Sequence, residues 1–93
     1  MYYVYILQCC DGTFYTGSTS DLSKRLNMHN SGRGAKYTRG RRPVRLAYAE
    51  PALDRSSALR REAQIKRLSR AEKIALIARR QDGGGEEERP KTC

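Results

Sequence analysis

The chain of 93 residues has room for one small domain with one thin core, which excludes a second lobe. Lys and Arg number 19 against 10 Asp and Glu; residues 1–80 hold 17 basic and 6 acidic side chains, a net of +11, whereas residues 81–93 hold 2 and 4, a net of −2. A body this basic attracts polyanions, chiefly nucleic acid, and the absence of any apolar run near the roughly 20 residues of a membrane span argues against a membrane protein.

In chain order, Tyr2 to Cys9 is aromatic and β-branched enough to predict a strand, and Thr13 to Thr19 predicts a second. The apolar start has no basic stretch before it, so no signal peptide is expected. Cys10-Asp11-Gly12 joins the two strands. If all three residues form the loop, Gly12 takes the left-handed position, Cys9 pairs with Thr13, Leu7 with Tyr15 and Tyr5 with Gly17, and Tyr5 and Tyr15 share a face. A tight Asp11-Gly12 turn would shift the register by one residue and put the two tyrosines on opposite faces. The turn residues alone permit either. The odd count of 3 cysteines and the adjacency of Cys9 and Cys10, where a disulfide is strained, fit a reducing compartment, and a cytoplasmic location is expected.

Ser20 is the expected cap of a helix from Asp21 to about Asn30, whose apolar stripe is Leu22 and Leu26. Residues 31–42 read as a Gly-rich basic loop closed by Pro43. Val44 to Glu50 predicts a third strand, Ser56 to Leu68 a second helix and Arg70 to Arg80 a third. Ala71, Ile74, Ala75 and Ala78 form a stripe on the last helix that is expected to pack internally. Three glycines, three glutamates and Pro90 predict a disordered acidic tail over 81–93 after a folded domain over 1–80. The order β-β-α-β-α-α implies an α+β fold, a small three-stranded mixed or antiparallel sheet flanked by helices.

Helical geometry sorts the polar residues. Arg25 and His29 fall about 40° apart and straddle the Leu22/Leu26 stripe, so neither can point fully into water if that stripe packs on the sheet. A snorkelling arginine and a hydrogen-bonded histidine would satisfy the same pattern. Glu62 lies between Ala58 and Leu59 on a largely apolar arc, where a carboxylate is costly unless paired or metal-bound. Lys66, one turn on, offers a plain salt bridge, and helix geometry leaves both roles open. Between Asp21 and Glu50 there are eight Lys and Arg and no acid, with glycines that let backbone approach phosphates and Tyr37 able to stack on a base or sugar.

Together these residues resemble a known pattern. Tyr3-Val4-Tyr5 followed by Tyr15-Thr16-Gly17 is similar to the paired motif of the GIY-YIG nuclease superfamily, with Arg25 ten residues after Tyr15, His29 one helical turn on and Glu62 on the later helix. The run His29-Asn30-Ser31-Gly32 and then Gly34-Ala35-Lys36-Tyr37-Thr38-Arg39 most resembles the short stand-alone bacterial branch and the nuclease subunit of structure-selective resolvases. Tyr3 stands where the motif has Gly, Thr16 where it has Ile and Ser18 where a lysine is common, and no asparagine follows Asn30.

The resemblance implies the three-residue hairpin loop, since the family holds both tyrosines in one site. It implies phosphodiester hydrolysis with Tyr15 as general base and Tyr5 positioning the water or sharing its proton. Arg25 would bind the scissile phosphate and Glu62 would hold one Mg²⁺ or Mn²⁺ ion. A free tyrosine is ionised in only about one molecule in a thousand at pH 7, so Tyr15 needs cationic neighbours, for which Arg25, His29 and the metal are the candidates. The expected nucleic-acid contacts are Gly17, Ser18, Arg33, Lys36, Tyr37, Arg39, Arg41 and Arg42, with Gly17 leaving room for the phosphate. The implied partner is nucleic acid, DNA rather than RNA, with no organic cofactor. The implied activity is an endonuclease that reads structure or backbone, in DNA repair or recombination. The alternative is a weak or inactive module that binds DNA or RNA on the same scaffold.

Overall fold

The computed structural model describes residues 1–80; the tail expected over 81–93 lies outside the described residues. Strand β1 runs Tyr2–Cys9, β2 Phe14–Thr19 and β3 Val44–Ala52, and all pairings are antiparallel in the order β2-β1-β3. The connection between β1 and β2 is the three-residue loop. The Gly12 amide donates to the Cys9 carbonyl at 2.9 Å, the Cys9 amide donates to the Thr13 carbonyl at 2.8 Å, and Gly12 sits at φ 88°. The Asp11 carboxylate accepts from the Thr13 amide and hydroxyl at 3.1 and 2.7 Å, which locks the turn. Tyr5 therefore faces Gly17 and Leu7 faces Tyr15, so both tyrosines lie on one face of the sheet.

Helix α1 spans Leu22–Asn30 and is capped by Asp21, whose carboxylate accepts from the Lys24 amide at 3.1 Å. Ser20, the expected cap, lies one residue too early: Asp21 has the extended backbone that a cap requires, and its side chain reaches the third helical amide. The helix ends where Gly32 turns left-handed at φ 87°, and Asn30 ties that end to β3, accepting from the Val44 amide at 2.7 Å and donating to its carbonyl at 3.0 Å. The segment read as an irregular loop contains a short helix, α2, over Lys36–Arg39. Its single turn has no amphipathic repeat to betray it; what holds it is the fully buried Thr38.

Helix α3 spans Arg55–Lys66 under an Asp54 cap, a little earlier at each end than its residues suggested, and α4 covers Arg70–Arg80 as expected. A reciprocal capping box opens α4: the Glu72 carboxylate accepts from the Ser69 amide at 2.8 Å, and the Ser69 hydroxyl accepts from the Glu72 amide at 3.2 Å. The stripe on α4 is not where it was expected. Ala71, Ala75 and Ala78 are exposed and Ile74 is 47% exposed, whereas Leu76 and Ile77 turn inward. With three of the four positions occupied by alanine, the bulkier Leu76/Ile77 pair buries more apolar area and sets the rotation of the helix.

The alternation of β1 divides the interior. Val4 and Ile6 point to one side, where Tyr48, Ala58, Ile65 and Ile77 complete an apolar cluster. Tyr5, Leu7 and Cys9 point to the other, with Val44 and the partly buried Tyr15, Leu22 and Leu26. Helices α3 and α4 thus cover the first face and α1 the second. Among the described residues no helix is long and apolar enough to cross a membrane.

Candidate active site

The second face carries the polar groups. Tyr5 is 2% exposed and its hydroxyl packs directly on Gly17: a Cβ at that position would lie 2.5 Å from the Tyr5 oxygen. The Tyr5 hydroxyl itself takes up the room that Gly17 leaves. Tyr15, two residues earlier on β2, is only partly buried, and its hydroxyl has no hydrogen-bond partner among the described residues.

Helix α1 delivers Arg25 and His29 to this pair. The Leu22/Leu26 stripe packs on the sheet, and the residues on its flanks are drawn in with it. Arg25 Nε donates to the Tyr5 hydroxyl at 3.4 Å, and that hydroxyl lies 3.3 Å from His29 Nε2. His29 is wholly buried, its other ring nitrogen lies 2.9 Å from Thr38 Oγ1, and its ring centroid is 5.3 Å from that of Tyr15. Burial, with the Arg25 charge adding to it, holds His29 below the usual histidine range. At neutral pH the ring is uncharged, so it is not the cation expected beside Tyr15. Burial likewise pushes the Tyr5 hydroxyl above the ordinary tyrosine range, opposed by Arg25 and reinforced by the charges of Tyr15 and Glu62. Tyr5 is a neutral phenol in the resting protein.

Glu62 reaches the same region around the β2 edge of the sheet. Its Oε1 accepts from Ser18 Oγ at 2.9 Å and its Oε2 from Lys66 Nζ at 2.9 Å. Of the two readings of this carboxylate, the Lys66 salt bridge is present, and the charge of Glu62 is felt at Tyr5. The bond to Glu62 raises the Lys66 pKa, with smaller contributions from Tyr15 and Tyr5, so Lys66 supplies a second cation near the tyrosines. No group of three or more His, Cys, Asp and Glu side chains able to hold a metal occurs among the described residues. A closed metal cage is therefore not what these residues fit. A hard ion that keeps most of its waters and shares a single carboxylate with substrate phosphates does fit Glu62, because each of its oxygens retains a free lone pair.

The expected nucleic-acid contacts divide into two sets. Arg33, Lys36 and Arg39 are exposed, with side chains that make no hydrogen bond among the described residues. Tyr37 stacks on Tyr15 with centroids 5.9 Å apart, and the Arg41 guanidinium lies 4.1 Å over the Tyr37 ring while pairing with Asp11 at 3.1 Å. Arg42 donates to the Arg39 carbonyl at 2.9 Å, and Ser18 serves Glu62. Tyr37, Arg41, Arg42 and Ser18 are thus engaged within the protein.

The model of the GIY-YIG catalytic domain matches residues 1–75, a span that includes Tyr5, Tyr15, Arg25, His29 and Glu62. The chain belongs to the GIY-YIG family. It is 55% identical over 77 residues to a UPF0213 protein of Halobacterium salinarum, covering 83% of this chain and 100% of that one. It is 59% identical over 76 residues to a UPF0213 protein of Syntrophus aciditrophicus, covering 81% and 87%. Among solved structures it is similar to a UPF0213 protein of Bacillus halodurans determined by solution NMR, with 45% identity, a TM-score of 0.57 and 89% of each chain covered. GIY-YIG domains are nuclease domains, so the substrate class is nucleic acid, and the family is generally metal-dependent.

Two residues of this GIY-YIG site escaped the reading of the sequence. Thr38 and Gly34 pack on His29: Thr38 hydrogen-bonds its ring, and a Cβ on Gly34 would lie 2.7 Å from the ring's Cγ and 2.8 Å from the His29 Cα. Their only signal is membership of the run from Gly34 to Arg39, which carries the resemblance to the short stand-alone branch, inside the basic loop over 31–42.

Proposed function

We propose that the protein is a metal-dependent endonuclease that hydrolyses phosphodiester bonds in DNA. It recognises backbone and structure rather than sequence, in the cytoplasm and in the setting of DNA repair or recombination. The observation that carries this reading is the convergence of Tyr5, Tyr15, Arg25 and His29 on one sheet face, with Glu62 at its β2 edge. Tyr15 has the free hydroxyl of the pair and acts as general base on the attacking water, with the Arg25 and Lys66 cations nearby. Tyr5 orients that water. Arg25 uses its Nε on Tyr5, and its terminal nitrogens make no hydrogen bond among the described residues, which leaves them for the phosphoryl oxygens. Glu62 would hold one Mg²⁺ or Mn²⁺, which would supply positive charge against the phosphate. Arg33, Lys36 and Arg39 supply salt-sensitive affinity for the backbone.

Cleavage of labelled linear, flap and junction DNA with Mg²⁺, Mn²⁺ or EDTA tests the reading. Wild type should give metal-dependent products, and Glu62→Ala and Tyr15→Phe should each lose about 10²–10⁴ in rate. Full metal-dependent cleavage by Glu62→Ala would sink the metal assignment. One observation favours a second reading, a nucleic-acid-binding module with little turnover: the Lys66 ammonium sits on the carboxylate that the ion would need. That reading predicts salt-sensitive binding to DNA or RNA with no product in any metal.

A further inference from the structure

The hydrogen bonds around His29 form a directed chain, and their polarity follows from which atoms can donate. At one end the Ala35 carbonyl can only accept, and Thr38 Oγ1 donates its single hydrogen to it at 2.9 Å. With that hydrogen committed, Thr38 Oγ1 can meet His29 Nδ1 at 2.9 Å only as an acceptor, so Nδ1 carries the ring's proton. At the other end Arg25 can only donate, and its Nε–H points at the Tyr5 oxygen. The neutral ring, protonated at Nδ1, offers a lone pair at Nε2, which receives the Tyr5 hydroxyl hydrogen across 3.3 Å. The opposite assignment has Thr38 donating to Nδ1 and Nε2–H donating to Tyr5. It leaves the Tyr5 hydroxyl hydrogen without an acceptor among the described residues, since Arg25 can only donate, and sets two oxygens at 2.9 Å with no hydrogen between them. His29 and Thr38 are both 0% exposed and Gly34 closes over the ring, so solvent does not take the place of either partner.

We infer that Thr38 is a positioning residue that fixes the tautomer of His29 and, through it, the orientation of the Tyr5 hydroxyl. With its hydrogen drawn inward to Nε2, the Tyr5 oxygen faces the site as an acceptor. It takes a hydrogen from the attacking water rather than giving one to it, which orients a water lone pair toward the phosphorus. This deepens the phosphodiesterase reading and rests on it for its catalytic meaning. The tautomer itself can be read without any cleavage.

The chain has one histidine, so the ring nitrogens of His29 give the only imidazole signals in a long-range ¹H–¹⁵N correlation spectrum of the labelled full chain. Wild type should show Nδ1 protonated and Nε2 bare. Thr38→Val keeps the shape and removes the acceptor; it should move the ring toward the Nε2-protonated form and lower kcat by roughly 10- to 100-fold, the usual cost of losing a group that orients an imidazole, with KM nearly unchanged. Thr38→Ser should restore both the spectrum and the rate. A wild-type ring protonated at Nε2, or a folded Thr38→Val with the wild-type tautomer, overturns the inference, and the wild-type spectrum decides even if Thr38→Val does not fold. A bare Nε2 in a protein that cleaves nothing overturns the nuclease reading instead, and with it the catalytic role of the orientation.

Discussion

The two faces of the sheet are built from alternate residues of the same strand and serve different ends. Under α3 and α4, Val4 and Ile6 meet Tyr48, Ala58, Ile65 and Ile77, a cluster whose contacts are interchangeable so long as volume is conserved. Under α1 and α2 the buried set includes Tyr5, His29 and Thr38, joined by hydrogen bonds that tolerate one arrangement of donors and acceptors. The difference teaches that the apolar face holds the fold while the other aims groups. Leu7, Cys9 and Val44 hold that face apolar around polar atoms that need partners. Polar clusters on the α3 side stay at its margin, as with Arg61, which pairs with Glu50 at 2.8 Å beside a Tyr48 hydroxyl that donates to the same carboxylate.

The sharpest way to break this comparison is a pair of truncations. Arg25→Ala should cost about 10²–10³ in cleavage rate and little stability. Ile65→Ala, at a position with no exposure, should cost about 2–5 kcal/mol in urea unfolding and leave turnover per folded molecule intact. If the Ile65→Ala protein were well folded but inactive, the division of labour between the faces would be wrong.

Acid sharpens it next. His29 has a folded-state pKa below its unfolded value, so the unfolded chain binds more protons between the two. Its contribution is fully present above the unfolded value near 6.5 and is lost as pH falls from there toward the folded value, with a slope of at most about 1.4 kcal/mol per pH unit. Denaturant titrations between neutral and mildly acidic pH should show this loss in wild type and not in His29→Gln. A flat wild-type profile across that interval would mean that the ring protonates freely in the fold.

The smallest effect tests the apolar side for a flaw. Thr16 is 3% exposed, pairs with Ile6 and has an Oγ1 with no hydrogen-bond partner among the described residues. Thr16→Val should raise stability by about 1 kcal/mol, since it removes an unsatisfied hydroxyl and keeps the shape. A lower melting point for Thr16→Val would show that the hydroxyl has a partner after all.

Much of this protein was determined by local chemistry in the chain. The bounds of β1 and α4 follow from β-branched and aromatic density and from a run of good helix formers between Ser69 and the glycines. The spacing of Tyr5, Tyr15, Arg25, His29 and Glu62 marked the family, and the family required the three-residue hairpin loop that the register bears out. Only the tertiary structure decided the rest. The cap at Asp21 rather than Ser20, the one-turn helix at Lys36–Arg39 and the outward face of Ala71, Ala75 and Ala78 depend on what packs over each segment, and periodicity over so few residues does not encode that. The neutral state of His29 and its bond to Thr38, nine residues away through a glycine-rich turn, arise from burial, which is a property of the assembled fold.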